Sequence, residues 1–187
     1  MEKTLEPPDA SSPGSDQLDG DILDELYEPV FFDNVEDHEE YKFGGFHPVH
    51  LNDELGNSNR YRVLHKLGNG GLATVWLCRD NEKDSYVALK IIMAKVSGDD
   101  SSELKLVQRK DINFDQPGGK HILLPLDYFW INGPNGSHLC LVYPVLGPRV
   151  PVIWHTRPDP HKIARNITRQ VTEGLGFLHR NGIGHGG

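Results

Sequence analysis

From Tyr61 onward, apolar and polar residues change places with a period that names the elements. In "YRVLHKLG" (61–68) Tyr61, Val63 and Leu67 alternate with polar neighbours until a glycine ends the run. "ATVWLCRD" (73–80) follows, rich in β-branched and aromatic residues; after the polar turn "NEKDS" comes "YVALKIIMA" (86–94). Three short strands joined by tight turns predict an antiparallel meander. "SSELKLVQRK" (101–110) places Leu104 and Val107 three apart behind two capping serines, Ser101 and Ser102, which suits a short helix. "HILLPLDYFWI" (121–131) and "HLCLVYPVL" (138–146) read as two further strands around the turn "NGPNGS". Last, Ile163, Ile167, Val171, Leu175 and Leu178 fall on one helical face, with Pro160 near the start and Gly182 past the end. The order β-β-β-α-β-β-α predicts an α+β fold: a five-stranded antiparallel sheet with one helix, then a long helix that begins something else.

Charge divides the chain before any motif does. Residues 1–40 hold 14 acidic side chains and one lysine, a formal −13, whereas the other 147 residues carry +5, which together give the net −8. The first twenty residues are rich in Pro, Ser, Gly and Asp and have little apolar surface to offset their ordering entropy, so disorder is expected over 1–26. No basic stretch leads into an apolar run, and no window approaches a membrane-spanning length, so neither a signal peptide nor a membrane partner is expected. Cys78 and Cys140 lie inside strand-like runs, which favours reduced core thiols and a cytoplasmic or nuclear protein. The ten histidines show no zinc-ligand spacing and read as polar or capping residues; no metal site is expected from them. The sequons at 135–137 and 166–168 are read as unused.

One constellation carries chemistry. Gly68, Gly70 and Gly71 in "LGNGGLATVWL" allow a tight hairpin whose backbone can approach a ligand closely. Lys90 ends "VALK" on the next strand but one, and Glu103 lies on the following helix. A loop over phosphates, a strand lysine and a carboxylate that orients it form one electrostatic device. A lysine in a buried strand needs such a partner; Glu82 and Asp84 are the alternatives to Glu103 if Lys90 faces solvent.

At these residues the chain resembles the eukaryotic protein kinases. Their glycine-loop pattern reads Gly68-Asn69-Gly70-Gly71-Leu72-Ala73-Thr74-Val75 here, with Ala73 in place of the third glycine. The closer likeness is to the SR-protein kinases, which phosphorylate Arg/Ser-rich splicing factors. It rests on Tyr41 with Gly44-Gly45-Phe46-His47-Pro48-Val49, on Thr74-Val75-Trp76-Leu77, and on "HLCLVYPVLGP" (138–148) as the hinge. The likeness covers residues 27–187 and implies four regions: an acidic tail (1–26), a family-specific extension (27–60), a small lobe with hinge (61–147) and the start of a large lobe (148–187).

The resemblance also implies roles. Backbone groups around Asn69–Thr74 would cover the phosphates of ATP, and Lys90 would hold the α- and β-phosphates while pairing with Glu103. Leu67, Val75 and Ala88 would roof the purine. Tyr143 would be the gatekeeper, with the Pro144 carbonyl and the Leu146 amide on the adenine edge; Pro144 loses only a donor that this contact does not use. In the place of the catalytic aspartate the chain reads His185-Gly186-Gly187, so no catalytic residue is expected, and the ligands for Mg²⁺ are absent. The 187 residues alone are therefore expected to be inactive, as a truncated kinase whose last helix leaves its apolar face uncovered. Two readings compete: a pseudokinase-like ATP-binding scaffold, and an interaction module in which the glycines are only a turn. A monomer is expected, with a protein substrate and no direct nucleic acid.

Overall fold

The structure, a computed structural model, describes residues 35–147 and 159–184. The expected tail, the beginning of the extension, the segment 148–158 and Gly187 lie outside the described residues. The fold is α+β, and its sheet has six strands rather than five, all antiparallel: β1 (Glu54–Leu55), β2 (Tyr61–Gly70), β3 (Ala73–Asp80), β4 (Ser85–Ile92), β5 (Asp127–Gly133) and β6 (Gly136–Pro144), in the spatial order β1-β2-β3-β4-β6-β5. Helix α1 is Ser102–Gln108 and helix α2 is Pro160–Arg180.

The added strand is too short to show a period. Leu55 pairs with Tyr61 and Glu54 with Arg62 across a reversal in which Gly56 sits at φ +82°. A Cβ there would meet the Tyr61 ring at 3.0 Å and the Phe129 ring at 3.3 Å, so glycine is required twice over. The fourth predicted strand begins six residues late. Gly118 in the left-handed region starts a 3₁₀ turn over Gly119–His121, and Pro125 has no N–H to give a ladder. The apolar run 122–126 is thereby divided: Ile122 packs toward α2, and the Leu126 N–H is the first to reach β6, donating to the Val142 carbonyl at 2.6 Å.

Two cores lie on the two faces of the sheet. Tyr61, Val63, Trp76, Cys78, Leu89, Ile91, Phe129, Cys140 and Val142 share one face, with Val49 and Leu55 from the preceding segment laid against it. Ala73, Ile92, Leu139 and Leu141 share the other, where Leu104 plugs α1 into the sheet. The alternation of side chains along each strand assigns them in this way. Both cysteines are buried free thiols, and burial pushes the Cys78 thiol up to about 12.

The segment Gly44–His47 is fastened to the end of the sheet by its backbone. The Gly45 and Gly44 carbonyls accept from Ala94 and Lys95 at 3.0 and 2.7 Å, and the Asn135 side chain donates to the Phe46 carbonyl at 2.7 Å. Gly45 has no alternative, because a Cβ would lie 1.8 Å from the Glu40 carbonyl oxygen. Asn135 is buried in this contact and is no surface glycan acceptor. Two of the histidines are neither surface nor capping residues. His47 and His138 meet edge-on with ring centroids 4.9 Å apart, and burial lowers the His47 pKa to about 4 and lowers that of His138 as well.

Helix α2 opens with Asp159 accepting from the Lys162 N–H and with Pro160 in its first turn. It closes with Gly182 at φ +70°, the Gly182 and Ile183 amides returning to the His179 and Leu178 carbonyls. That pattern satisfies the last free carbonyls of the helix. The apolar face is less bare than the spacing implies. Phe177 and Leu178 are buried with Ile112, Phe114 and Ile122, while Val171 and Leu175 are exposed. Close approach is possible because Gly118 has no side chain; a Cβ there would stand 2.3 Å from the Glu173 carbonyl oxygen. Among the described residues, no helix is long and apolar enough to cross a membrane.

Candidate functional site

The glycine-rich stretch forms the arms and turn of the β2–β3 hairpin. Gly68 stands opposite Val75, Asn69 opposite Thr74 and Gly70 opposite Ala73, with Gly71 and Leu72 at the turn. A Cβ at Gly68, Gly70 or Gly71 would meet nothing within 4 Å. Packing therefore does not demand these glycines, and the space around the hairpin backbone is open.

Strand register carries the line from the hairpin to Lys90. Gly68 pairs with Val75 and Val75 with Lys90, so the three share one face of the sheet, the face that carries α1. Ala88 pairs with Leu77 on one side and Tyr143 on the other, continuing that face toward the end of β6. Helix α1 has only seven residues and no side-chain cap, so packing rather than propensity holds it. Leu104, 1% exposed, sets its rotation, and that rotation aims Glu103 at the sheet.

Lys90 Nζ and Glu103 Oε1 are 2.5 Å apart. Of the alternatives left open by spacing, Glu82 is engaged by Arg60 at 3.1 Å and Asp84 by Arg79. The second carboxylate oxygen of Glu103 is buried with no hydrogen-bond partner among the described residues, an acceptor available to a donor on a ligand or to a water. Lys90, Glu103 and Tyr143 line one cavity of about 310 Å³ together with Leu106, Leu123 and Pro125. Burial and then the Glu103 charge push the Tyr143 hydroxyl up to about 12, so it stays a neutral donor near neutral pH. The arrangement presents an ammonium ion, an acceptor and a phenol to one apolar-walled space beside an open hairpin.

The remaining candidates are more dispersed. Val75 is half-buried and Ala88 buried on the same face, whereas Leu67 sits exposed where the β2–β3 register shifts. Leu72 is exposed at the turn, with its carbonyl accepting from Met93. Ala73 and Thr74 are buried, and Thr74 Oγ1 accepts from Trp76 Nε1 at 3.0 Å on the opposite face. Pro144 ends β6, and Leu146 beyond it is 65% exposed. Leu106, Leu123 and Pro125 escaped sequence reasoning. Leu106 had a signal in its spacing of three from Glu103; Leu123 and Pro125 were hidden inside a run that reads as strand.

A second, larger hollow of about 590 Å³ adjoins the first between α1 and α2 and shares Glu103, Leu106 and Leu123 with it. Among the described residues, no group of three or more His, Cys, Asp or Glu side chains converges as metal ligands would.

No protein-family profile matches the chain. Individual proteins do. The chain is 37% identical over 157 residues to Protein kinase dsk1 of Schizosaccharomyces pombe, covering 80% of this chain and 29% of that protein. It is 36% identical over 153 residues to SRSF protein kinase 3 of Homo sapiens, covering 77% and 26%. With Serine/threonine-protein kinase SKY1 of Saccharomyces cerevisiae it shares 34% over 162 residues, covering 81% and 22%. The chain thus spans about a quarter of the length of these relatives. Over about four fifths of its own length, it is a homologue of serine/threonine protein kinases of the SR-protein-kinase family.

Proposed function

We propose that residues 61–147 form the nucleotide-gripping small lobe of an ATP-dependent serine/threonine kinase that phosphorylates Arg/Ser-rich splicing factors, with residues 159–184 beginning the large lobe. The observation that carries the reading is the Lys90–Glu103 pair, joined through strand register to an open glycine hairpin. Lys90 holds the α- and β-phosphates, and Glu103 fixes the direction in which its ammonium points. Backbone N–H groups from Asn69 to Thr74 lie over the phosphates, Leu67, Val75 and Ala88 face the purine, and Tyr143 bounds the space behind it. Pro144 and Leu146 supply the carbonyl and amide at the adenine edge. These residues fit a purine nucleotide: an apolar face for the base, and a cation with backbone N–H donors for the phosphates. Mg²⁺, when bound with the nucleotide, would supply charge neutralisation at the phosphates.

The relative named SRSF protein kinase 3 supports the substrate class. Localisation to cytoplasm and nucleus belongs to the same proposal. Gly187 has no side-chain carboxylate to accept a hydroxyl proton, so ATP binding without phosphate transfer, as in a pseudokinase-like module, is the second reading of these residues. Thermal unfolding with and without ATP tests the reading. ATP raises the midpoint, approaching about 2.7 kcal/mol of stabilisation at a hundred times the Kd, and Lys90→Met abolishes the rise. No shift at millimolar ATP would leave only an interaction module. Transfer of labelled phosphate to an Arg/Ser peptide, abolished by Lys90→Met, would refute the inactivity of the isolated chain.

A further inference from the structure

The face of the sheet opposite Lys90 holds a second lysine. Lys66 pairs with Trp76, and Trp76 with Leu89, so these three side chains lie on the face away from Gly68, Val75 and Lys90. Lys66 Nζ lies 5.6 Å from the Trp76 ring centroid and is bound by both carboxylate oxygens of Glu36. The Tyr41 hydroxyl donates to the same carboxylate. Glu36 is 7% exposed, thirty residues before Lys66, in a segment no period marks.

Two facts give this cluster mechanical meaning. The β2–β3 register shifts between Lys66 and Gly68, so the ladder is interrupted at Leu67, where the hairpin arm begins. Beyond that point the outer arm, Gly68–Gly70, pairs with β3, which is itself laddered to β4 out to Ala73 and Ile92, and the Leu72 carbonyl accepts from Met93, so it is the β2 arm whose course the base sets. The segment carrying Glu36 is itself held firmly: Gly44 and Gly45 are bonded to Lys95 and Ala94, and Lys95 Nζ meets Glu40 at 3.0 Å. The cluster therefore joins the irregular base of β2 to the segment bonded just past the end of β4.

We propose that Glu36 is a positioning residue for the glycine-rich hairpin, its carboxylate holding Lys66 on the sheet face opposite Lys90 and so fixing the irregular base of β2. Its bearing on affinity rests on the nucleotide reading above; its effect on the hairpin does not.

Hydrogen–deuterium exchange on the full chain without nucleotide tests it. In Glu36→Gln the amides of 66–70 exchange at least about tenfold faster, while those of Val87–Ile91 and Leu139–Val142 keep their rates. Lys66→Gln reproduces the pattern, and Tyr41→Phe, which removes one bond and keeps the ion pair, gives a smaller acceleration of the same amides. Unchanged hairpin rates, or equal acceleration everywhere, overturn the proposal. If Glu36→Gln does not fold, Tyr41→Phe decides alone: acceleration confined to 66–70 supports the role, and none, or equal acceleration everywhere, overturns it. ATP titration is read separately, with about three- to tenfold weaker binding expected in Glu36→Gln. A loosened hairpin in a chain that binds no ATP sinks the nucleotide reading and leaves the positioning role standing.

Discussion

Asp80 shows how much one buried carboxylate can govern. Its side chain is 2% exposed and takes two hydrogen bonds from Arg60, at 2.9 and 2.7 Å, as well as the amides of Glu82 and Lys83. Arg60 above all, with those amides, pulls the carboxyl down to about 2. A depressed carboxylate stabilises the fold above its unfolded pKa of about 3.9, and the contribution fades as pH falls toward 2. Half-buried His47 and buried His138 act in a separate window. Their lowered pKa values mean that the unfolded chain takes up protons the folded chain refuses, so stability falls as pH drops below about 6.5, the His47 share being fully lost near 4. Urea unfolding from pH 7 to 2.5 should resolve both slopes. His47→Asn flattens the upper one. Asp80→Asn costs about 1–3 kcal/mol at pH 7 by removing the charge that holds Arg60 most closely, with Glu82 and Asp127 still accepting from it, and it flattens the lower slope.

At the scale of elements, legibility followed the number of repeats available. β2, β3, β4, β6 and α2 each run long enough for a period to emerge, and they lie close to where alternation predicts. β1 has two residues and no period, so alternation alone yields one strand too few. The run 121–126 misled because three different surfaces, α2, the cavity and β6, each draw on its apolar residues. The Lys90–Glu103 pair could be anticipated because a fixed motif brackets it. Glu36 and Lys66 could not, since no local spacing connects residues thirty apart. α2 offers a direct check on tertiary anchoring. Phe177 is fully buried against Phe114, ring centroids 5.4 Å apart, so Phe177→Ala costs about 3–5 kcal/mol by calorimetry. Exchange protection should fall first in α2 and in 112–122, with β3–β6 unaffected.

Across the whole molecule, the sheet is loaded on both faces: apolar residues of the 46–55 segment on one, α1 and the cavity on the other. Cys78 and Cys140 sit in the first of these layers, both at 0% exposure. Their thiols should report opening of the entire sheet rather than local fraying. Ellman's reagent at pH 8 should label both cysteines at least about a hundredfold more slowly in the native chain than in 6 M urea. Equal rates would mean that the sheet opens without global unfolding.

A sheet so loaded sorts mutations by parity. Along β4, Val87, Leu89 and Ile91 point into one layer while Ala88, Lys90 and Ile92 point into the other. Substituting these positions one after another should yield two interleaved phenotypes, melting temperature at odd numbers and ligand grip at even numbers nearest the cavity. Inserting a single residue before Val87 would exchange the two sets at once.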